Sequence, residues 1–132
     1  RLHVAAGLSS GWVVTYLVHE QTGAMSCRQA VRVGTHTTRL STFGERDSGH
    51  EQIFASGDRA SIISADAHGR IDDRAVNLRN VSHVVALDVV GDDQLMAFVA
   101  AGDLMIGALE DAERVHVQTV QLGSSPQCIC WH

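Results

Sequence analysis

The chain has no lysine, one proline and three cysteines in 132 residues. Each scarcity removes a class of reading. All ten basic residues are arginines, scattered along the sequence, and fifteen acidic residues bring the formal net charge to -5. A nucleic-acid backbone asks for a basic stripe, and none is present. Charged residues make up only 19% of the chain and apolar ones 45%, so a packed core is expected rather than disorder. Apolar runs fall far short of the ~20 residues that cross a bilayer as a helix. Cys27, Cys128 and Cys130 are odd in number. Two of them stand two residues apart, which suits one strand face but not a bond between them. Free, buried thiols in a reducing compartment are the expectation. The sequon Asn80-Val81-Ser82 would acquire meaning only in a secreted chain, and no leader is visible. There is no initiator Met. Arg1 to Ala6 reads like the middle of a strand and Cys128 to His132 like part of another, so both ends are expected to continue into a longer chain.

What is present is a succession of short apolar runs punctuated by turn residues, with almost no helical period. Trp12 to Val18 is β-branched and aromatic and apolar on both alternating faces, which predicts a strand buried on two sides. Glu20-Gln21-Thr22-Gly23 turns the chain, with Gly23 suited to positive φ. Met25 to Val33 then returns as a half-exposed outer strand. Its alternation puts Met25, Cys27, Val31 and Val33 on one face and Ser26, Arg28, Ala30 and Arg32 on the other. Further on, strands are expected at 53–56 and 60–64 around a Gly57-Asp58-Arg59 turn, with a loop at Ala67 to Arg70. Others are expected at 84–90 and 95–100 around Gly91-Asp92-Asp93, at 104–109, and from Val115 to Thr119. Asp111 to Arg114 is a polar connection. The lone Pro126 lies in the junction after Gly123, where a missing N–H does no harm.

An internal repeat organises these runs. Val4-Ala5-Ala6-Gly7, Phe54-Ala55-Ser56-Gly57 and Val99-Ala100-Ala101-Gly102 share the order apolar, small, small, Gly, each before a turn and an apolar strand. The glycines lie 50 and 45 residues apart. Propeller blades of four strands repeat at roughly 40–50 residues. Small residues would suit inner strands crowded around a central channel. The chain is therefore expected to be all-β: a partial β-propeller with WD40-like four-stranded antiparallel blades, about three of them. A closed ring takes about four to eight blades, so sheet faces and edges of this stretch are expected to lie open unless the rest of a longer chain covers them.

The chemistry-bearing patterns are weak. Gly7-Leu8-Ser9-Ser10-Gly11 fits G-x-S-x-G, which in α/β-hydrolases places the serine on a strand-to-helix turn. Here a strand follows, so Ser9 reads as part of a hairpin turn, with a serine hydrolase as the remote alternative. Histidines at 3, 19, 36, 50, 68, 83, 116 and 132 form no close pair, and Cys128-x-Cys130 is half a zinc site. Asp72-Asp73 and Asp92-Asp93 read as solvated turn acids rather than a general acid/base pair. No P-loop or dinucleotide glycine pattern occurs. No catalytic, metal or cofactor residue is assigned, and no local pattern marks protein-binding positions.

Several stretches, in order along the chain, resemble one family. They are Glu20 to Gly23, Val33-Gly34-Thr35, Ile53-Phe54-Ala55-Ser56-Gly57-Asp58-Arg59-Ala60-Ser61-Ile62-Ile63, Val76-Asn77-Leu78-Arg79-Asn80-Val81, Leu104 to Leu109, Val115 to Leu122, and Ser125-Pro126-Gln127-Cys128-Ile129-Cys130-Trp131. The set is similar to the damage-specific DNA-binding protein 1 family of triple-propeller proteins, collinear over nearly the whole chain. Ala60 stands where that family has proline and Gln127 where it has a basic residue, which marks a divergent member. The large subunits of the cleavage-and-polyadenylation factor and of splicing factor 3b share the architecture and are the nearest competitors. The resemblance implies three propellers and a helical C-terminal domain. Residues 1–123 would be the last blades of the middle propeller and 124–132 the opening strand of the third. It also implies a non-catalytic linker subunit of a cullin-4 RING ubiquitin ligase. Such a subunit recruits substrate receptors, acts in DNA damage recognition and repair, and touches nucleic acid only indirectly. It would carry no cofactor and have no membrane partner. Its surroundings would be nucleus and cytoplasm, and it would pack against the rest of its own chain.

Overall fold

In the computed structural model, the residues described are 2–44, 51–66, 68–87, 95–109 and 115–129. They form strands and no helix. The first sheet is β1 (Leu2–Gly7), β2 (Trp12–Val18) and β3 (Met25–Arg32), paired in that order. The second contains β4 (Arg39–Phe43), β5 (Gln52–Ser56), β6 (Arg59–Ala65) and β7 (Ile71–Arg79). The third contains β8 (Val81–Ala86), β9 (Leu95–Ala100), β10 (Asp103–Leu109) and β11 (Val115–Val120). All neighbours are antiparallel and consecutive, the up-and-down order of propeller blades. The expected all-β partial propeller of about three blades is what the chain forms.

The middle sheet shows why the chain folds this way. Phe54 pairs with Ile62, and Ile53 with Ile63. Neighbouring residues on a strand point to opposite faces, so both faces of this sheet are apolar. Phe54, Ala60, Ile62 and Val76 pack with Val81, Val84, Met96 and Phe98 of the third sheet. Ala55 and Ile63 pack with Val13 and Val33 of the first blade and its exit, with Ala5, Val31 and Ile53 alongside. The core is therefore two layers between three stacked blades. Polar links cross the same gaps. Gln29 of β3 donates from Nε2 to Gly69 O (2.8 Å) and accepts from the Ile71 N–H (3.1 Å). Ser41 of β4 donates to Val84 O of β8 (3.0 Å).

The repeat sets the phase. Gly7 ends β1, Gly57 and Gly102 follow β5 and β9, and β5 and β9 are second in their sheets. By that alignment β1 stands in a second-strand position. The first strands β4 and β8 pack against each other, and β1 against β4, so the small-small-Gly segments do not line the inner strands as expected. Their small residues serve the packing between sheets instead: Ala55 and Ala100 are fully buried there.

Four further expectations are corrected. Trp12 is exposed, and β2 is buried only at Val13, Val14 and Thr15, with Tyr16 to Val18 half-buried. In β3 the alternation breaks. Thr15 pairs with Gln29 but Leu17 with Ser26, so Tyr16 faces two residues, and Cys27 takes φ 51 in the resulting bulge. Met25 is thereby turned off the Val31 and Val33 face and lies 63% exposed. The thiols are not buried: Cys27 on the bulge and Cys128 in the strand-free 121–129 segment are both free and exposed. Asp72 and Asp73 lie within β7, not in a turn, and successive strand positions send them to opposite faces. The turn at Gly91-Asp92-Asp93, the connection 111–114, Cys130, His50 and His132 lie outside the described residues.

Candidate interaction surface

One end of the blades gathers the β1–β2, β5–β6 and β9–β10 turns with the connections from blade to blade. Each connection is held between the turns of the two blades it joins. At the first junction Val33 N–H and Gly34 N–H both donate to Gly11 O (2.9 and 3.0 Å), and Thr38 N–H donates to Leu8 O (3.1 Å). At the second, Val81 N–H donates to Gly57 O (2.9 Å). Asn80, at φ 54, donates to Asp58 O (3.3 Å) and accepts from Ala101 N–H (3.2 Å). The backbone groups of these loops are thus satisfied by one another.

The glycines permit the closeness. A Cβ on Gly11, which has φ +83, would run into the Gly34 carbonyl, and one on Gly7 into Thr38 O. That is the physical content of Gly7-Leu8-Ser9-Ser10-Gly11. Ser9 is exposed in a tight turn, where Leu8 N–H donates to Trp12 O, and a strand follows it. The two glycines of the pattern admit the next connection rather than a nucleophile.

Asp58 fastens the first connection to the second blade. Its carboxylate accepts from Thr35 N–H (3.1 Å to each oxygen), from Thr35 Oγ1 (2.9 Å) and from His36 N–H (3.4 Å). The Thr35 amide, then its hydroxyl, then the His36 amide favour the charged form and hold the Asp58 pKa down to about 2. His36 Nδ1 lies 2.9 Å from Thr35 Oγ1 and 3.7 Å from Asp58, with the ring largely in solvent. The Thr35 hydroxyl donates straight to the carboxylate, so this group ties a loop down and activates no oxygen. On the inner strands Arg39 donates to His83 Nε2 (2.8 Å), and His83 Nδ1 lies 3.1 Å from Ser82 Oγ, which donates to Val99 O. This run crosses from the second blade to the third. At the opposite end Asp66 accepts from the Arg70 and His68 amides (2.8 Å each). The Arg70 amide chiefly lowers its pKa.

The histidines stay apart. His3 and His83 are half-buried, and His19, His36 and His68 are exposed. Among the described residues no three His, Cys, Asp or Glu side chains gather as metal ligands would. No helix among them is long and apolar enough to cross a membrane. A cleft opens between the first two blades, lined by His3, Ile53, Ile63, Asp66 and Arg74 among others. The Asp58 clasp, the Gln29 bridge and the Arg39–His83 contact were not singled out in the sequence, because their partners lie 22–44 residues away. The only local signal was the Gly-Asp turn at 57–58.

The model of the RSE1/DDB1/CPSF1 second beta-propeller family matches residues 1–109. Among curated proteins the chain is similar to DNA damage-binding protein 1 of Oryza sativa subsp. japonica, 27% identical over 97% of this chain and 12% of that protein. It is also similar to DNA damage-binding protein 1a of Arabidopsis thaliana, with the same identity and coverage. DNA damage-binding protein 1 of Drosophila melanogaster is 26% identical over 98% of this chain and 11% of its own length. The chain thus spans about an eighth of the relatives it matches.

Proposed function

Because the chain belongs to the RSE1/DDB1/CPSF1 second β-propeller family, we propose that it supplies blades of the middle propeller of a non-catalytic linker subunit in a cullin-4 RING ubiquitin ligase. The observation that carries this reading is the alignment of nearly the whole chain with DNA damage-binding protein 1 from plants and an insect. The geometry supports a scaffold: connections are clasped between turns at one end of stacked blades, so exposed loops such as Thr35 to Thr37 sit on a rigid frame. The partners are a cullin-4-type scaffold and substrate receptors, the setting is DNA damage recognition and repair, and the place is the nucleus, with a cytoplasmic share. Residues 1–123 belong to the middle propeller and 124–132 lead into the third. A second reading, a scaffold for RNA processing, draws on the same match, because the family also takes in RSE1 and CPSF1. Affinity purification of the full-length protein separates them. Co-purification of a cullin and its RING partner is the expected result. Recovery of polyadenylation or splicing factors without any cullin would replace the first reading with the second.

A further inference from the structure

An uncompensated pair of arginines lies on the second blade, beside the turn that carries Asp58. Of the arginines described, Arg74 pairs with Asp72, Arg39 donates to His83 and Arg32 donates to Gly34 O. Arg28, Arg59, Arg70 and Arg79 make no side-chain hydrogen bond or ion pair among the described residues, and of these Arg59 and Arg79, both exposed, lie on neighbouring strands. They stand directly opposite each other on β6 and β7. Like charges in that position are destabilising. The arrangement comes from an irregularity in the strands. Ala60 pairs with Val76, so unbroken register would put the neutral Asn77 opposite Arg59. The shift between Arg59 and Ala60 substitutes Arg79. The adjacent Asp58 forms no ion pair with either arginine among the described residues; its oxygens accept from Thr35 and His36.

We infer that Arg59 and Arg79 form a docking point for an acidic segment of a protein partner, the two guanidinium groups engaging its carboxylates. Guanidinium groups bind carboxylates through paired, charge-assisted hydrogen bonds. A partner's carboxylates would relieve the repulsion that the shifted register creates. The chain's net charge of -5 opposes a long polyanion such as DNA or RNA, whereas a short acidic segment meets only the local field.

The test uses the full-length protein and a fluorescein-labelled peptide of alternating Asp and Glu. A matched peptide of Asn and Gln and a labelled single-stranded oligonucleotide serve as controls. Fluorescence anisotropy is expected to show salt-sensitive binding of the acidic peptide, little of the neutral one, and at least a tenfold loss in R59Q/R79Q. The melting temperature of R59Q and of R79Q is expected to be unchanged or raised, because repulsion is removed. Equal peptide binding by wild type and R59Q/R79Q, or no binding by either, would overturn the inference. So would a clear fall in melting temperature on substitution, which would make the pair a structural element. Tighter, pair-dependent binding of the oligonucleotide would overturn the acidic-peptide assignment.

Discussion

At the scale of single residues, the junction between the first two blades depends on Gly11 and Asp58. Gly11 has φ +83 and its carbonyl receives two amides, Val33 and Gly34. In Gly11→Ala the new methyl meets the Gly34 carbonyl in a backbone region unfavourable to L-residues. A cost of about 1–3 kcal/mol is expected. Hydrogen exchange in the full-length protein should show the Val33 and Gly34 amides losing protection first. Unchanged protection would mean that the turn does not hold the connection. Asp58 has its pKa held below the ordinary carboxylate value of 3.8, at about 2. Its contribution is therefore complete above about pH 4 and is lost as the pH falls through about 2. In Asp58→Ala the Thr35 and His36 amides should exchange faster near neutral pH, and that local difference from wild type should shrink as the pH falls through about 2. A difference undiminished well below about pH 2 would contradict the carboxylate's role.

At the scale of the element, much was legible because strands of a blade carry their signal locally. β2, β3, β6, β9 and β10 follow from β-branched runs and flanking turns, and Gly23 has the expected positive φ. β7 was harder to see. Asp72, Asp73 and Arg74 are polar and consecutive, and only Val76 and Leu78 mark its inner face. β4 was obscured by its mixed composition, Arg-Leu-Ser-Thr-Phe. Bulges are illegible from alternation, since one extra residue at Cys27 reverses the faces of everything before it. The candidate surface was less legible than the fold. Thr35 and His36 lie in the connection between the first two blades and Asp58 in a turn of the second, and their approach needs a bare Gly34: a Cβ there would strike the Asp58 carboxylate. β5 and β9 offer the direct test of packing between blades. Phe54 and Phe98 are each 1% exposed in the layer between the second and third sheets. Phe54→Ala should cost about 3–5 kcal/mol, read as a lower denaturant midpoint for the propeller. A cost below about 1 kcal/mol would mean that this layer is not closely packed.

At the scale of the whole molecule, the faces that the described residues leave without a neighbouring sheet are apolar. Leu2 and Val4 are 50% and 41% exposed on one outer face of the first blade, and Ile106 and Val120 are exposed on the third. Stacked blades bury such faces against the next blade in the ring, as the two inner layers here already show. That geometry, with the family match over 1–109, makes the segment one arc of a propeller. The most direct measurement is a high-resolution structure of the full-length protein. The three sheets should be consecutive blades of one ring, with β4 and β8 on the inner side and Leu2, Val4, Ile106 and Val120 covered by neighbouring blades. Thr35 and His36 should be hydrogen-bonded to Asp58 across the first junction. Sheets divided between separate rings, or outer faces left in solvent in the complete protein, would contradict this arrangement.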